Sequence, residues 1–437
     1  MTDPIPVLQR LVRYDTTNPP GAQRECVQYV ADLLATEGIE SHLVGVDDDR
    51  PNLVARVPGA GLAPPLLLQA HADVVPTAGQ VWTHPPFCGD IIDGHVWGRG
   101  SVDMKGGLAM MLAALLRLRG RGESPAGDVI LAVVADEEAG SHAGAHFLVH
   151  EHPSLLSDAR YCIGEDGGAG LNLGGLRVHP IVVAEKRGGW LRATLRGPGG
   201  HASRRRPDTA VGKLARLLSN LDGYRLPTHI TAGANRMLQE LEKVLPSPLD
   251  GQIAALRSGE GADPGQLLAG LPADDAIYLD SVTRHTANPT IVRTSQKINM
   301  IPSEVTVDID GRILPGEFTL DDFIGELRAV VGHEVEFDLL LEGERMPEPR
   351  FGPFYDLLVR LVGELDPQAI PLPMITPAST DARLFAQLGM ECYGWLPMRL
   401  PPGSRYHELL HAADERIPVD SIRFGADSLE QLLRRYR

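Results

Sequence analysis

The segment PLLLQAHAD, residues 65–73, is a short apolar run that ends in two polar residues, His71 and Asp73. A run of this length and composition predicts a buried β-strand. Two further apolar runs end in the same way, because DVILAVVAD (128–136) leads into two glutamates and ARYCIGE (159–165) ends in another. In parallel α/β sheets, ligands bind just beyond the carboxyl ends of the strands. The three endings therefore predict a polar site at one edge of a sheet.

The residues around these runs predict strands that alternate with helices. A strand pattern covers 52–57, and apolar residues recur at helical spacing over 24–36 and over KGGLAMMLAALLRLR (105–119). Buried strands that alternate with helices indicate an α/β domain with a mostly parallel sheet. Asp103 lies just before the second of these helices, where it could cap the helix or bind a metal ion.

The pattern changes near Lys186. The elements that follow are a strand at 190–197, a helix at 207–221, strands at 290–294 and 304–312, a helix at 319–331 and a strand at 333–341. This βαββαβ order is that of a ferredoxin-like α+β domain, with residues 226–287 as an insertion. The chain then returns to elements at 353–365, 380–388, 391–396 and 420–435. We therefore predict one α/β domain in two segments, 1–186 and 343–437, with a second domain, 187–342, inserted between them.

Composition narrows the class of protein. A length of 437 residues predicts two to three domains. The net charge of -16 argues against a nucleic-acid partner, which would need a basic face. The four cysteines are scattered, without a CxxC pair, so we expect neither a disulfide framework nor a zinc finger. No secretory signal and no apolar run long enough to span a membrane is evident, so we expect a cytoplasmic protein that binds no membrane.

Residues 406–415 predict a different metal site from the one at the strand ends. The segment YHELLHAADE (406–415) contains the His-Glu-x-x-His pattern of a single-zinc protease. On a helix, His407 and His411 would bind one zinc ion, with Glu408 as general base and Glu430 as a third ligand. This alternative gives no role to the residues at the three strand ends. In addition, the motif follows a Pro/Gly loop and has no apolar face of its own. Glu430 is more simply interpreted as a solvent-facing residue of the last helix.

Taken together, the motifs resemble the co-catalytic di-zinc peptidases of metallopeptidase family twenty. That family includes aminoacylases, glutamate carboxypeptidases, acetylornithine deacetylases and succinyl-diaminopimelate desuccinylases. The resemblance runs from about residue 8 to the end of the chain. It rests on HAD (71–73), GRGSVDMKGG (98–107), DEE (136–138), GED (164–166), GPGGHAS (197–203), NMIP (299–302), DIDGR (308–312), STDAR (379–383) and HAADE (411–415).

The resemblance implies a site for two zinc ions per chain, with cobalt or manganese as substitutes. It implies that His71 and Glu165 hold one ion and that Glu138 and His411 hold the other. Asp103 would bridge the two ions. A shift of one residue would make Asp166 the ligand in place of Glu165, and the sequence leaves that choice open.

The resemblance also assigns residues to catalysis and to substrate binding. Glu137 would be the general base, and Asp73 would accept the free N–H of His71. His201 would stabilise the oxyanion, in its own subunit or in the neighbouring one. The groups that would hold the substrate carboxylate are Asn299, Arg312, Ser379 and Thr380.

The expected activity is hydrolysis of an amide bond next to a free carboxylate, in short peptides or N-acyl amino acids. The inserted domain would act as a lid and form a homodimer. Besides the single-zinc protease, two alternatives are an amide-transferring or deacetylating biosynthetic enzyme with the same fold and a binding protein that has lost catalysis. The presence of Glu137 argues against the last, because an inactive relative would be expected to lose the base or a ligand.

Overall fold

The chain forms two compact units in the computed structural model. The model describes residues 2–259, 264–295, 297–401, 404 and 406–437. The first unit comprises residues 1–183, 349–374 and 380–437, and the inserted unit comprises residues 184–348 and 375–379. The sequence predicted the boundaries at 186/187 and 342/343.

A mixed β-sheet forms the centre of the first unit. In spatial order its strands are Ser41–Gly45, Pro51–Val57, Val129–Val134, Leu66–His71, Tyr161–Gly164, Glu391–Gly394, Leu176–Glu185 and Ile370–Thr376, with Leu171–Leu173 paired to Leu176–Glu185. The third to the sixth strands in this order are parallel to one another. Most of these four are buried along their whole length, which explains why they appear in the sequence as continuous apolar runs. The predicted α/β fold with mostly parallel central strands is confirmed.

Helices surround this sheet. They are Pro4–Val12, Arg24–Ala35, Lys105–Gly120, Ala145–Glu151, Pro353–Leu365, Ala382–Ala386, Tyr406–Leu409 and Val419–Arg435, with single 3₁₀ turns at Glu137–Ala139 and Pro153–Leu155. Lys105–Gly120 buries 13 of its 16 residues, because it packs against Pro4–Val12, Val419–Arg435 and the strand Leu66–His71. A small sheet of Ile91–Ile92, His95–Trp97 and Arg416–Pro418 completes the unit.

Glu430 does not face solvent, and that prediction is wrong. The residue is only 6% exposed, and its carboxylate lies 2.9 Å from the guanidinium of Arg121 and 3.6 Å from that of Arg117. Both arginines lie at the end of Lys105–Gly120, the helix against which the last helix packs. Glu430 is buried because these two arginines compensate its charge.

The inserted unit is built on a four-stranded antiparallel sheet. In spatial order its strands are Thr286–Arg293, Glu304–Ile313, Arg187–Arg196 and Glu336–Glu342. Helices Ala210–Gly223 and Leu320–Val331 supply Leu217 and Phe323 to cores that also contain Leu191 and Val307 from the sheet. In chain order these elements are β-α-β-β-α-β, as the sequence predicted. In its described residues the insertion contributes four further helices, Ala232–Glu242, Leu249–Ser258, Pro264–Ala269 and Ala273–Val282.

Candidate active site

Two neighbouring parallel strands bring the first polar groups together. His71 is the last residue of Leu66–His71 and is fully buried, and Glu165 directly follows Tyr161–Gly164. The Nε2 atom of His71 lies 3.3 Å from Oε2 of Glu165 and 3.0 Å from Oδ1 of Asp103. Among the described residues, the close group of potential ligands here contains Glu165 rather than Asp166.

Asp103 belongs to two groups of potential metal ligands, one with His71 and Glu165 and the other with Glu138 and His411. Its Oδ1 atom faces His71, and its Oδ2 atom lies 3.2 Å from Nε2 of His411. The same Nε2 atom lies 3.3 Å from Oε2 of Glu138. The carboxylate of Asp103 therefore has one oxygen directed at each histidine, the arrangement required of a ligand shared by two metal ions. The helix that follows begins after Met104, and Asp103 does not cap it.

The residues present fit two divalent cations. One oxygen each of Glu138 and Glu165, Oε1 in both, is buried without a hydrogen-bond partner in the described part of the chain. Burial raises the pKa of Glu165 to about 7. Burial, and next the neighbouring Glu165 carboxylate, raise the pKa of Glu137 well above its usual range. Carboxylates crowded in this way repel one another unless cations compensate their charge, and a donor set of imidazoles and carboxylates suits zinc, cobalt or manganese.

A tight turn after Val129–Val134 presents Glu137 and Glu138 to the site. Asp136 begins the turn with a φ of 65°. The backbone N–H groups of Glu137 and Glu138 donate to the Asp73 carboxylate, over 3.2 and 3.1 Å. Asp73 therefore fixes the turn that carries both glutamates. Its closer contact to His71 is made by the Asp73 carbonyl oxygen, 3.0 Å from Nδ1, whereas the carboxylate oxygen lies 3.6 Å away.

Two buried polar residues that sequence reasoning missed support this turn. The side-chain amide of Asn18 donates to both Asp73 and Asp136, each over 2.9 Å. Asp381 is fully buried and accepts a 2.5 Å hydrogen bond from Ser141, and burial raises the pKa of Asp381 to about 6. Asn18 lies more than fifty residues before His71, so no local spacing connects it with the strand ends.

Sequence reasoning also missed an ion pair behind Asp103 and His411. Glu415 is fully buried, and its Oε1 atom accepts the backbone N–H groups of Val102 and Asp103, over 2.7 and 3.2 Å. Its other oxygen pairs with Arg99 at 2.7 Å. Arg99 also donates to the carbonyl oxygen of His411 over 3.2 Å. Arg99 lies in the motif GRGSVDMKGG and Glu415 in the motif HAADE. Only the fold shows that their ion pair connects these two distant parts of the chain.

The geometry of the tail contradicts the single-zinc alternative. The helix spans only Tyr406–Leu409, and His411 follows it with a φ of 59°. His407 and His411 therefore do not share one helical face. His411 instead lies beside the carboxylates of Asp103 and Glu138, and its hydrogen bonds to them raise its pKa to about 10.

In the inserted unit, two predicted residues lie together. Gly200–His201 pairs with Met300–Ile301, so that His201 and Asn299 line one hollow of about 450 Å³. The Nδ1 atom of His201 accepts the backbone N–H of Ser203 over 3.3 Å. The Ser203 hydroxyl oxygen lies closer to Nδ1, at 2.9 Å; when Nδ1 accepts from Ser203, the neutral imidazole carries its proton on Nε2, which can then donate a hydrogen bond.

The remaining predicted substrate-binding residues do not all belong to the same unit. Arg312 makes a two-point contact with Asp310 in its own strand, over 2.8 and 3.1 Å. Ser379 belongs to the inserted unit and Thr380 to the first unit. The hydroxyl oxygen of Thr380 accepts the backbone N–H of Ala382 over 3.1 Å, at the start of a helix.

None of the helices in the described ranges is long and apolar enough to cross a membrane.

Comparison with known proteins identifies the family. Residues 67–435 match the family model described as Peptidase family M20/M25/M40. The chain is 28% identical over 442 residues to succinyl-diaminopimelate desuccinylase of Paracoccus denitrificans, covering 99% of this chain and 98% of that protein. It is 27% identical over 381 residues to probable carboxypeptidase S-like 2 of Dictyostelium discoideum, covering 85% of this chain and 71% of that protein.

A solved structure shows the same fold. The M20 family metallo-carboxypeptidase Sso-CP2 from Sulfolobus solfataricus superimposes with a TM-score of 0.71 at 20% sequence identity, covering 100% of this chain and 99% of that chain. The family predicted from the motifs is confirmed, and with it the class of metallohydrolase acting on peptide or amide bonds. The chain belongs to peptidase family M20/M25/M40.

Proposed function

We propose that this protein hydrolyses an amide or peptide bond adjacent to a free carboxylate, in short peptides or N-acyl amino acids. Two zinc ions per chain, or cobalt or manganese in their place, would be held by His71, Asp103, Glu138, Glu165 and His411. The observation that carries the proposal is the carboxylate of Asp103, which directs one oxygen at each of two histidine–glutamate pairs.

When bound, the two cations would polarise the scissile carbonyl and lower the pKa of the attacking water. Glu137 takes a proton from that water and passes it to the leaving nitrogen, so its carboxyl must hold a proton between the two steps. Asp73 keeps the base in place through the backbone N–H of Glu137.

Groups outside the metal site would bind the substrate. His201 can donate through Nε2 to the developing oxyanion, because its Nδ1 atom is occupied by Ser203. Arg312 would bind the substrate carboxylate together with Asn299, Ser379 and Thr380. Asp310 contacts the Nε and Nη2 atoms of Arg312, so the Nη1 side of the guanidinium would make the new contact.

We propose two further properties of the whole protein. The first is a cytoplasmic location, which is supported by four free cysteines, Cys26, Cys88, Cys162 and Cys392. The second is a homodimer formed through the inserted unit, whose edge strand Glu336–Glu342 exposes three leucines.

A substrate panel tests the activity and identifies the acyl group. Dipeptides and N-acetyl, N-succinyl and N-formyl amino acids are compared with the same compounds amidated at the carboxylate. We expect hydrolysis of free acids only, abolished by a chelator and restored by zinc. Arg312→Ala should raise KM strongly for the free acids. Equal cleavage of acids and amides by the wild-type protein would contradict the carboxylate assignment, and full activity in chelator would contradict the metal site.

A further inference from the structure

The inserted unit contains a hollow of about 860 Å³, and none of the residues that line it belongs to the proposed active site. The helix Leu320–Val331 forms one wall, because Asp322, Gly325, Glu326 and Ala329 lie on one face of this helix. No described atom lies within 4 Å of the position that a Cβ atom of Gly325 would take, apart from the helix itself and its chain neighbours. A hollow of this volume is large enough for a small organic molecule.

The lining of this hollow is strongly acidic. Among its described residues are five carboxylates and neither a lysine nor an arginine. The aromatic side chains of Tyr224 and Phe318 also line it, and aromatic rings attract cations. The lining therefore favours a positively charged ligand. The five carboxylates are those of Glu317, Asp321, Asp322, Glu326 and Glu348.

The carboxylate of Glu326 has one oxygen atom without a partner. Its Oε1 atom lies 2.6 Å from Nε2 of His229, whereas its Oε2 atom is buried without a hydrogen-bond partner in the described part of the chain. His285, which is 1% exposed, directs its own unpartnered Nε2 atom at the same carboxylate, 3.9 Å from Oε1. A buried carboxylate oxygen without a donor is costly, so the Oε2 atom indicates a ligand that donates an N–H group to it.

A metal ion fits these groups less well than an organic cation. Potential ligand atoms converge at this hollow, among the described residues, only in the group of His229, His285 and Glu326. The backbone N–H of Leu314 donates to Nδ1 of His285 over 3.0 Å, and burial lowers the pKa of His285 to about 3. The neutral ring therefore carries its proton on Nε2 and cannot bind a metal ion there unless the hydrogen bond from Leu314 breaks.

We propose that this hollow binds a small organic cation with two ammonium groups, an aliphatic diamine. The Oε2 atom of Glu326 would accept an N–H of one ammonium group in a charge-assisted hydrogen bond. The other carboxylates would compensate the second positive charge, because a single ammonium group would leave most of the five uncompensated. The site needs no active-site metal ion, so it does not depend on the proposed function.

Isothermal titration calorimetry at low salt tests the proposal on the full-length protein loaded with metal at the active site. Putrescine, a diamine, is compared with butylamine, which has the same carbon chain and one ammonium group. We expect putrescine to bind the wild type and butylamine to bind it much more weakly. Glu326→Gln should weaken putrescine binding by about tenfold or more, because a charge-assisted hydrogen bond is lost.

Two further variants control this experiment. Asp321→Asn changes an exposed carboxylate of the hollow, so it should weaken putrescine binding without disturbing the fold. Asp274→Asn removes an exposed carboxylate of the same unit outside the hollow, and it should bind putrescine like the wild type.

Three results would overturn the proposal. The first is a wild-type protein that binds no putrescine or binds butylamine equally well. The second is putrescine binding that Glu326→Gln and Asp321→Asn weaken no more than Asp274→Asn, since binding would then reflect the overall negative charge alone. The third is displacement of putrescine by Mg²⁺ alone at equal concentration, which would assign the hollow to an inorganic cation.

Discussion

At the scale of single residues, the proposed function gives two adjacent glutamates different tasks. Glu137 and Glu138 both donate their backbone N–H groups to Asp73, yet only the Glu138 carboxylate contacts His411. We expect Glu137→Gln to keep both metal ions and to lose a factor of about 10²–10⁴ in kcat, the typical contribution of a positioned base. Glu138→Gln should lose metal. Equal metal loss in the two variants, measured by elemental analysis, would show that the roles are assigned wrongly.

The ion pair of Arg99 and Glu415 provides a second test. Because Glu415 orients the Asp103 backbone and Arg99 orients that of His411, Glu415→Gln should weaken zinc affinity by about 10–100-fold. Zinc competition with a chelator measures this change. Glu408→Gln is the matched control and should leave both affinity and activity unchanged, because Glu408 is the base only in the single-zinc alternative. Unchanged zinc affinity in Glu415→Gln would contradict the positioning role.

The sequence could propose the ligands because each lies in a short motif of chemically distinctive residues. It could not decide between Glu165 and Asp166, because the choice depends on the backbone turn at Asp166, where φ is 59°. It could not assign Asn18, Arg99 or Glu415 either. Their partners lie 55 to 316 residues away along the chain, and only the fold brings them together.

At the scale of secondary-structure elements, the end of one short helix separates the two interpretations of His-Glu-Leu-Leu-His. Because Tyr406–Leu409 stops before His411, the two histidines cannot act as equivalent ligands. We expect His411→Ala to lose metal and activity, and His407→Ala to keep the full metal content. Zinc stoichiometry of the two variants, measured side by side, checks this. Parallel loss of zinc would restore the single-zinc alternative.

Other elements show where sequence patterns succeed and fail. The parallel strands of the first unit and its helices at 24–36, 105–119, 353–365 and 420–435 were predictable, because apolar runs and helical spacing reflect burial directly. The strands Leu176–Glu185 and Ile370–Thr376 were missed, and both contain proline, which argues against a central strand. Ile370–Thr376 lies at the edge of its sheet, where proline is tolerated because one side of the strand forms no ladder.

At the scale of the whole molecule, the inserted unit presents an edge strand, Glu336–Glu342, in which three consecutive leucines stand beside three acidic residues. Six of the seven residues of Glu336–Glu342 are exposed, and Leu339, Leu340 and Leu341 are 50%, 43% and 40% exposed. Isolated sheet edges in soluble proteins usually carry charges, prolines or bulges that prevent pairing with another chain. Glu336 and Asp338 carry charge at one end of this strand, but the three consecutive leucines are exposed, and we propose that a second copy covers them.

A lysine placed on this edge should keep the two copies apart. We expect the wild-type protein to sediment as two chains and Leu340→Lys to sediment as one, because the lysine would place a charge in the apolar part of the interface. Leu62→Lys is the control, since Leu62 is a leucine of the first unit that is 78% exposed and lies outside the edge strand. Analytical ultracentrifugation of the three proteins measures the masses. A single-chain mass for the wild type would refute the dimer, whereas a two-chain mass for Leu340→Lys would move the interface to another surface.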